Sequence, residues 1–403
     1  MRILLISGEF PPMQGGVGDY TCQMARAFVL LGHQVDVLVP NALEPAYHSP
    51  QLQPWRVWPR VHGWKWNCWS QVIAVVREVR PDVINLQYQA AVYDMRHPAV
   101  NLLPWRLRRL PAAPPVVVTF HDLKPPYLFP KAGAVRGWAV RQLARHSRAT
   151  IVTNAEDLES ARRWHFFATR RDQDRFTIHQ IPIGSNIAAA PPAGYDREAW
   201  RSRFGYGPDD LVWAYFGFLN ESKGAETLIR ALAKSTGSRL LMIGGRVGSS
   251  DATNRAYAAR IEALIGELGL TDRVQWTGYV PEEQVSAAFL GTDVVVMPYR
   301  DGVSFRRGSL HAALAHGCAI VSTTPRVPLP ELGHGENILL VPPQDPQALS
   351  EAVLRLRDPA LRRRIGDGAR VSAQQFTWER IAQRTVDEVF RPLIHAGSPG
   401  MHI

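Results

Sequence analysis

Short, nearly continuous apolar runs recur along the chain, each followed by a longer stretch whose apolar residues have helical spacing. In the first half the runs are RILLIS (2–7), VDVLVP (35–40), DVINLQ (82–87), VVVTF (116–120), ATIVTN (149–154) and TIHQIP (177–182). Runs of this length without polar alternation predict strands buried on both faces. The stretches between them, for example 18–31, 70–79 and 136–147, predict crossover helices. At 187–196 the pattern stops in IAAAPPAGYD, whose small residues and prolines predict a linker. It resumes with VWAYFG (212–217), RLLMIGG (239–245), VQWTGY (274–279), VVVMPY (294–299), AIVSTT (319–324) and ILLVPP (338–343). The predicted class is α/β, with two Rossmann-like doubly wound domains facing across a cleft, residues 1–188 and 197–376. A last helix near 377–391 is expected to pack back on the first domain, taking 377–403 with it.

A length of 403 residues suits two cores rather than one. Three scattered cysteines, Cys22, Cys68 and Cys318, are too few for a disulfide framework or a zinc site and point to a reducing, cytoplasmic setting. The opening MRILLISGEF reads as a first strand rather than a signal peptide, and no stretch reaches the ~20 apolar residues of a membrane helix.

In open α/β sheets ligands sit beyond the carboxyl ends of the strands, so the chemistry is sought in the loops there. The first strand runs into GEFPPMQGGVGDYT, where Gly15, Gly16 and Gly18 precede a helix; exposed N–H groups at a helix start favour an anion. DVINLQYQ brings Gln87 and Tyr88, both suited to hydroxylated ligands, and these join Asp19 and Tyr20 as candidates for the acceptor side. VVVTFHD ends in His121 and Asp122, and a histidine there can donate to a sugar hydroxyl or a developing charge. In the second half, YFGFLNESKGAETLIRAL places Lys223 and Gly224 before a helix, an electrostatic conflict with the dipole that a bound pyrophosphate resolves. Gly217 opens that loop, and Gly245 closes the next run. The loop after 294–299 carries Asp301, Gly302, Ser304, Arg306 and Arg307, then Gly308 and Ser309 at a helix start. Two arginines, a glycine and a hydroxyl there make a phosphate site from guanidinium forks and backbone N–H groups.

At these residues the chain resembles the retaining family-four glycosyltransferases, which share the two-domain glycosyltransferase-B fold with glycogen synthase. The likeness runs over about 1–390: the GGVGDY loop, FHD, IPIGSNI, the G-x5-KG loop from Gly217 to Gly224, VQWTGYVPEEQ, ALAHGCAIVSTT, ENILLVPP and FTWERIA. The resemblance implies that Lys223 binds donor phosphate and that Gly15 and Gly16 lie near the diphosphate. It also implies that His121 touches the transferred sugar, as the catalytic candidate, and that the backbone around Val280 reads the nucleotide base. It implies no metal and no other cofactor, and front-face transfer with retention of anomeric configuration. Two departures stand out. Phe218 occupies the position of the family's usual arginine, and Ser304 and Ala312 occupy those of its paired glutamates. Arg306 and Arg307 become candidates to replace the arginine, and Asp301 is the nearby carboxylate. The missing glutamates keep two alternatives open, a catalytically silent nucleotide-sugar-binding relative and an epimerase or phosphorylase of the same fold.

The net charge of +10 is uneven: residues 1–190 carry +9 and residues 191–403 carry +1. PWRVWPRVHGWKWNCWS (54–70) holds five tryptophans among Arg, Lys and His, while 101–110 and 136–148 are basic and partly amphipathic. Tryptophan beside lysine and arginine suits a membrane interface or carbohydrate stacking. The expected partners are a nucleotide sugar, a glycan or lipid-linked acceptor and an anionic membrane surface, on whose inner face the protein would be peripheral. No nucleic-acid-reading module is present, so nucleic acid is not expected.

Overall fold

The computed structural model describes residues 1–13, 15–47, 53–128, 133–163, 177–245 and 252–397. They form two compact units, Met1–Gly184 with Thr377–Ile403, and Ser185–Phe376.

The first unit is built on seven parallel strands: β1 (Arg2–Ile6), β2 (Gln34–Pro40), β3 (Arg56–Val61), β4 (Val83–Tyr88), β5 (Val116–Phe120), β6 (Ala149–Val152) and β7 (Thr177–Gln180), in the order β3-β2-β1-β4-β5-β6-β7. Strands β4, β5 and β6 are buried along their whole length, which is why they read as unbroken apolar runs. The helix Gly16–Leu30 buries Met24, Ala25, Ala27 and Phe28 on one side of the sheet. The last helix covers the same side. It starts at Thr377, whose side chain accepts from the Arg380 N–H, and carries a π turn at Thr385–Phe390. Phe390 meets Phe28 with ring centroids 5.6 Å apart, and Arg384 donates to the Gln180 carbonyl at 3.1 Å.

Strand β3 is the element that the apolar-run pattern misses. It lies at the sheet edge, so it carries polar residues and tolerates Pro59, whose missing N–H costs little there. Arg56 and Arg60 flank Trp58 at alternate positions and stack on its ring at 3.8 and 4.7 Å. Trp55, Trp58 and Trp64 are buried, so three of the five tryptophans expected to form a binding surface belong to the core instead.

The second unit carries β8 (Leu211–Phe216), β9 (Ser238–Ile243), β10 (Val274–Gly278), β11 (Val294–Met297), β12 (Ile320–Thr323) and β13 (Leu339–Val341), all parallel, in the order β10-β9-β8-β11-β12-β13. Both sheets therefore reverse their winding beside their first strand, between β1 and β4 and between β8 and β11. That reversal opens a crevice at the carboxyl ends. The proline-rich segment 187–196 falls within the second unit, where the Tyr195 hydroxyl donates to the Ala287 carbonyl at 3.1 Å. At the opposite, amino end of the sheet, the helix Arg197–Arg203 plants the buried Arg201 on Asp293 at 3.0 Å. Arg201 also donates to the carbonyls of Gly207, Asp210 and Gly291, tying the segments 207–210 and 291–293 to one guanidinium.

Candidate functional site

In the second unit the loops after β8 and β11 meet at the switch point. Strand β8 is followed by Gly217, where a positive φ of 100° turns the chain; a Cβ there would lie 2.7 Å from the Lys223 Nζ. The Asn220 side chain accepts from the Lys223 N–H and from the Ser222 hydroxyl, shaping a single 3-10 turn, Glu221–Lys223. Gly224 then enters the helix Ala225–Ala233 with φ at 71°. A Cβ on Gly224 would sit 1.9 Å from the Pro298 carbonyl, so only glycine lets the two loops close on each other. The Arg300 N–H donates to the Ser222 carbonyl at 2.9 Å and sews them together.

Lys223 has no ion-pair partner among the described residues. Burial, with repulsion from Arg307 added, pulls its ammonium down to about 8. Arg307 precedes the helix Gly308–Ala315, whose start no side chain caps. Its guanidinium is clamped by both oxygens of Asp301 at 2.8 and 2.9 Å, reaches the Ser222 hydroxyl at 3.3 Å and lies over the Tyr299 ring at 4.9 Å. Arg306 reaches the same carboxylate from a more exposed position. Ser309 shares a 2.8 Å hydrogen bond with the Tyr299 hydroxyl. Lys223, Arg306 and Arg307 outnumber Asp301, leaving two uncompensated positive charges against an open helix start. That arrangement suits a multiply charged anion.

The first unit places its candidates differently. His121 ends β5, its Nε2 lies 3.1 Å from the Gln87 Oε1, and the edge of Tyr20 meets its ring at 4.6 Å between centroids. Burial drives the His121 imidazole down to about 3, so it is neutral at working pH. After β1, the Glu9 Oε1 accepts from the N–H groups of Val17 and Gly18 at 2.8 and 3.0 Å. A Cβ on Gly15 would lie 2.2 Å from that carboxyl group.

Two family models cover most of this architecture. "Glycosyl transferases group 1" matches residues 210–358, and "Glycosyl transferase 4-like domain" matches residues 15–173. The chain belongs to the group 1 glycosyltransferases. The D-inositol 3-phosphate glycosyltransferase of Streptomyces bingchenggensis is 27% identical over 210 residues, which is 51% of this chain and 45% of that protein. The match thus spans about half the length of that relative. Among solved structures, the sucrose-phosphate synthase of Thermosynechococcus elongatus superposes with a TM-score of 0.76 at 24% identity, covering 98% of this chain and 99% of the other. Anabaena HepE in complex with UDP and glucose superposes at 0.71 with 18% identity, covering 96% and 99%. These likenesses establish a glycosyltransferase-B fold.

Within this glycosyltransferase, Gly217, Lys223, Asp301, Arg306, Arg307 and Ser309 gather at the switch point of the second sheet, with Gly308 exposed at the helix start. Gly245 follows β9, and Val280 follows β10 before the helix Glu282–Gly291. Ser304 is buried beneath the arginine loop rather than presented on it. Asp301 serves as the arginine clamp; it is not a free carboxylate for a sugar hydroxyl. Three acceptor candidates need correction: Tyr20, Gln87 and Tyr88 are all buried, Tyr88 accepting from Asn101 at 2.8 Å, so they build the wall around His121. Asp19 is exposed on its helix. At the glycine loop, the anion on the helix start is the chain's own Glu9, so Gly15 and Gly16 do not offer the amides of Val17 and Gly18 to a phosphate in this state. Glu9, Ser222 and Tyr299 escaped the sequence reading. Only Ser222, adjacent to Lys223, carried a local signal.

Proposed function

We propose that this chain is a metal-independent, retaining glycosyltransferase that moves a sugar from a nucleotide-sugar donor to a glycan or lipid-linked acceptor in cell-surface polysaccharide synthesis. One observation carries the reading: Lys223, Ser222 and the clamped Arg307 converge beside an uncapped helix start at the β8/β11 switch point. A leaving diphosphate needs fixed positive charge in a poorly hydrated site, which two cations and backbone amides supply without a metal. Arg307 here takes the part of the family's arginine, whose position Phe218 leaves exposed and uncharged. His121 takes the role that the resemblance gives it, on the transferred sugar. HepE, with its bound UDP, makes uridine donors the first to try.

The test is a binding and turnover screen of UDP-, GDP-, ADP- and TDP-sugars with a chelator present. Selective binding with sugar release that survives chelation is expected. Binding with no turnover across a panel of acceptors would instead favour the silent-relative reading. Arg307→Ala is expected to weaken diphosphate binding by about 1.5–3 kcal/mol, the scale of a charge-assisted hydrogen bond, while leaving nucleoside binding unchanged. Equal loss for both ligands would remove Arg307 from the phosphate site.

The acceptor is proposed to be membrane-presented. Among the described residues no helix is long and apolar enough to cross a membrane. The first unit instead shows an aromatic chain, Trp66 to Trp69 at 5.1 Å and Trp69 to Trp105 at 6.1 Å, which ends with Arg109 stacked at 3.6 Å. Trp66 is 49% exposed, and Lys65 and Arg108 are exposed in the same segments. Such a face suits the headgroup region, with rings at the boundary and cations on anionic lipid. The protein is expected to float with phosphatidylglycerol vesicles at low salt and to be released at high salt. Equal flotation with neutral vesicles would rule out the electrostatic part.

A further inference from the structure

Beneath His121 a line of side-chain amides runs back into the sheet. The Asn85 Nδ2 donates to the Val117 carbonyl at 3.4 Å and to the Thr119 hydroxyl oxygen at 3.0 Å. The Gln87 Nε2 donates to the Asn85 Oδ1 at 2.5 Å, and the Gln87 Oε1 faces the His121 Nε2 at 3.1 Å. Both amides are buried, and a backbone carbonyl can only accept. The polarity of the whole line is therefore set from its inner end. Val117 requires the Asn85 nitrogen, which leaves the Asn85 oxygen for Gln87. The Gln87 nitrogen is turned toward that oxygen, which leaves the other end of the amide, its oxygen, facing His121.

We propose that Asn85 and Gln87 are positioning residues that hold His121 as the Nε2–H tautomer, so that a sugar hydroxyl meets the bare Nδ1 lone pair. The ring plane is held as well, since Tyr20 abuts it edge-on and is itself braced against Trp378 at 5.4 Å between centroids. The consequence is a specificity rule. The transferred sugar must bring a hydroxyl that donates to His121, and an analogue in which that oxygen is methylated or absent is discriminated against. The last step rests on the transferase reading; the tautomer assignment does not.

The test begins with the ligand-free protein, labelled with nitrogen-15 histidine, the His121 signals being those missing from His121→Asn. The Nε2 signal is expected at the protonated position and the Nδ1 signal at the bare position. A bare Nε2 in the wild type overturns the proposal with no further variant. Gln87→Met, close in volume but without the amide, is expected to lose the single tautomer. It should also slow sugar release on the order of tenfold, one hydrogen bond's worth, with UDP affinity unchanged. An unaltered tautomer and rate in folded Gln87→Met would equally refute it. Wild-type protein with the expected tautomer but no sugar release from any donor would retire the transferase reading while leaving the tautomer assignment in place.

Discussion

Lys223→Ala is expected to lower the affinity for a nucleoside diphosphate by about 1.5–3 kcal/mol, roughly ten- to 150-fold. The reason is the solitude of this ammonium. Arg307 has Asp301 as a counter-ion, whereas Lys223 sits beside another cation and has no ion-pair partner among the described residues. Because its group titrates near 8 in the free protein, affinity is expected to fall as pH rises through 8, measured by calorimetry from pH 6.5 to 9.5. Stability runs the other way. The unfolded chain keeps this lysine protonated to its ordinary 10.5, so between about 8 and 10.5 the unfolded state holds more protons and raising the pH favours folding. Lys223→Ala should abolish both slopes. A wild-type affinity that is flat across this range would show that Lys223 stays fully charged and that its desolvation has been overstated.

Arg201→Ala is expected to destabilise the second unit by about 3–5 kcal/mol, the cost of breaking a buried ion pair from one side. Asp293 is also held by Arg197 at 2.7 Å, but that side chain is 41% exposed and cannot replace the four contacts of Arg201. The Arg201→Met, Asp293→Leu pair should recover part of the loss, since an apolar pair need not pay for desolvation. Chemical denaturation followed by tryptophan fluorescence would report this, because Trp200 and Trp213 lie in this unit and are buried. A midpoint unchanged in Arg201→Ala would mean that the unit is held together elsewhere.

The sheets were legible because each central strand is buried on both faces and leaves an unbroken apolar mark. Twelve such runs were read and each corresponds to a strand among β1, β2 and β4–β13. Strand β3 was hidden because arginines and a proline interrupt its apolar positions, so that it looked like a surface loop. The lysine and arginine loops were visible as candidates because lysine, arginine and glycine sit there in uninterrupted sequence. What the sequence could not disclose was pairing at a distance. Glu9 reaches amides eight and nine residues away, and Asn85 and Gln87, two apart on one face of β4, line up with His121 only once β5 lies alongside. Tyr88 and Gln87 looked like ligand-binding residues because their chemistry allows it. Burial decided otherwise.

The close approach of Gly224 to the Pro298 carbonyl has a consequence for anyone wishing to exchange loops in this chain. With 1.9 Å where a Cβ would go, the lysine loop and the arginine loop pack with no room for a side chain between them. Residues 217–224 and 298–309 should therefore be exchanged together, as a single cassette.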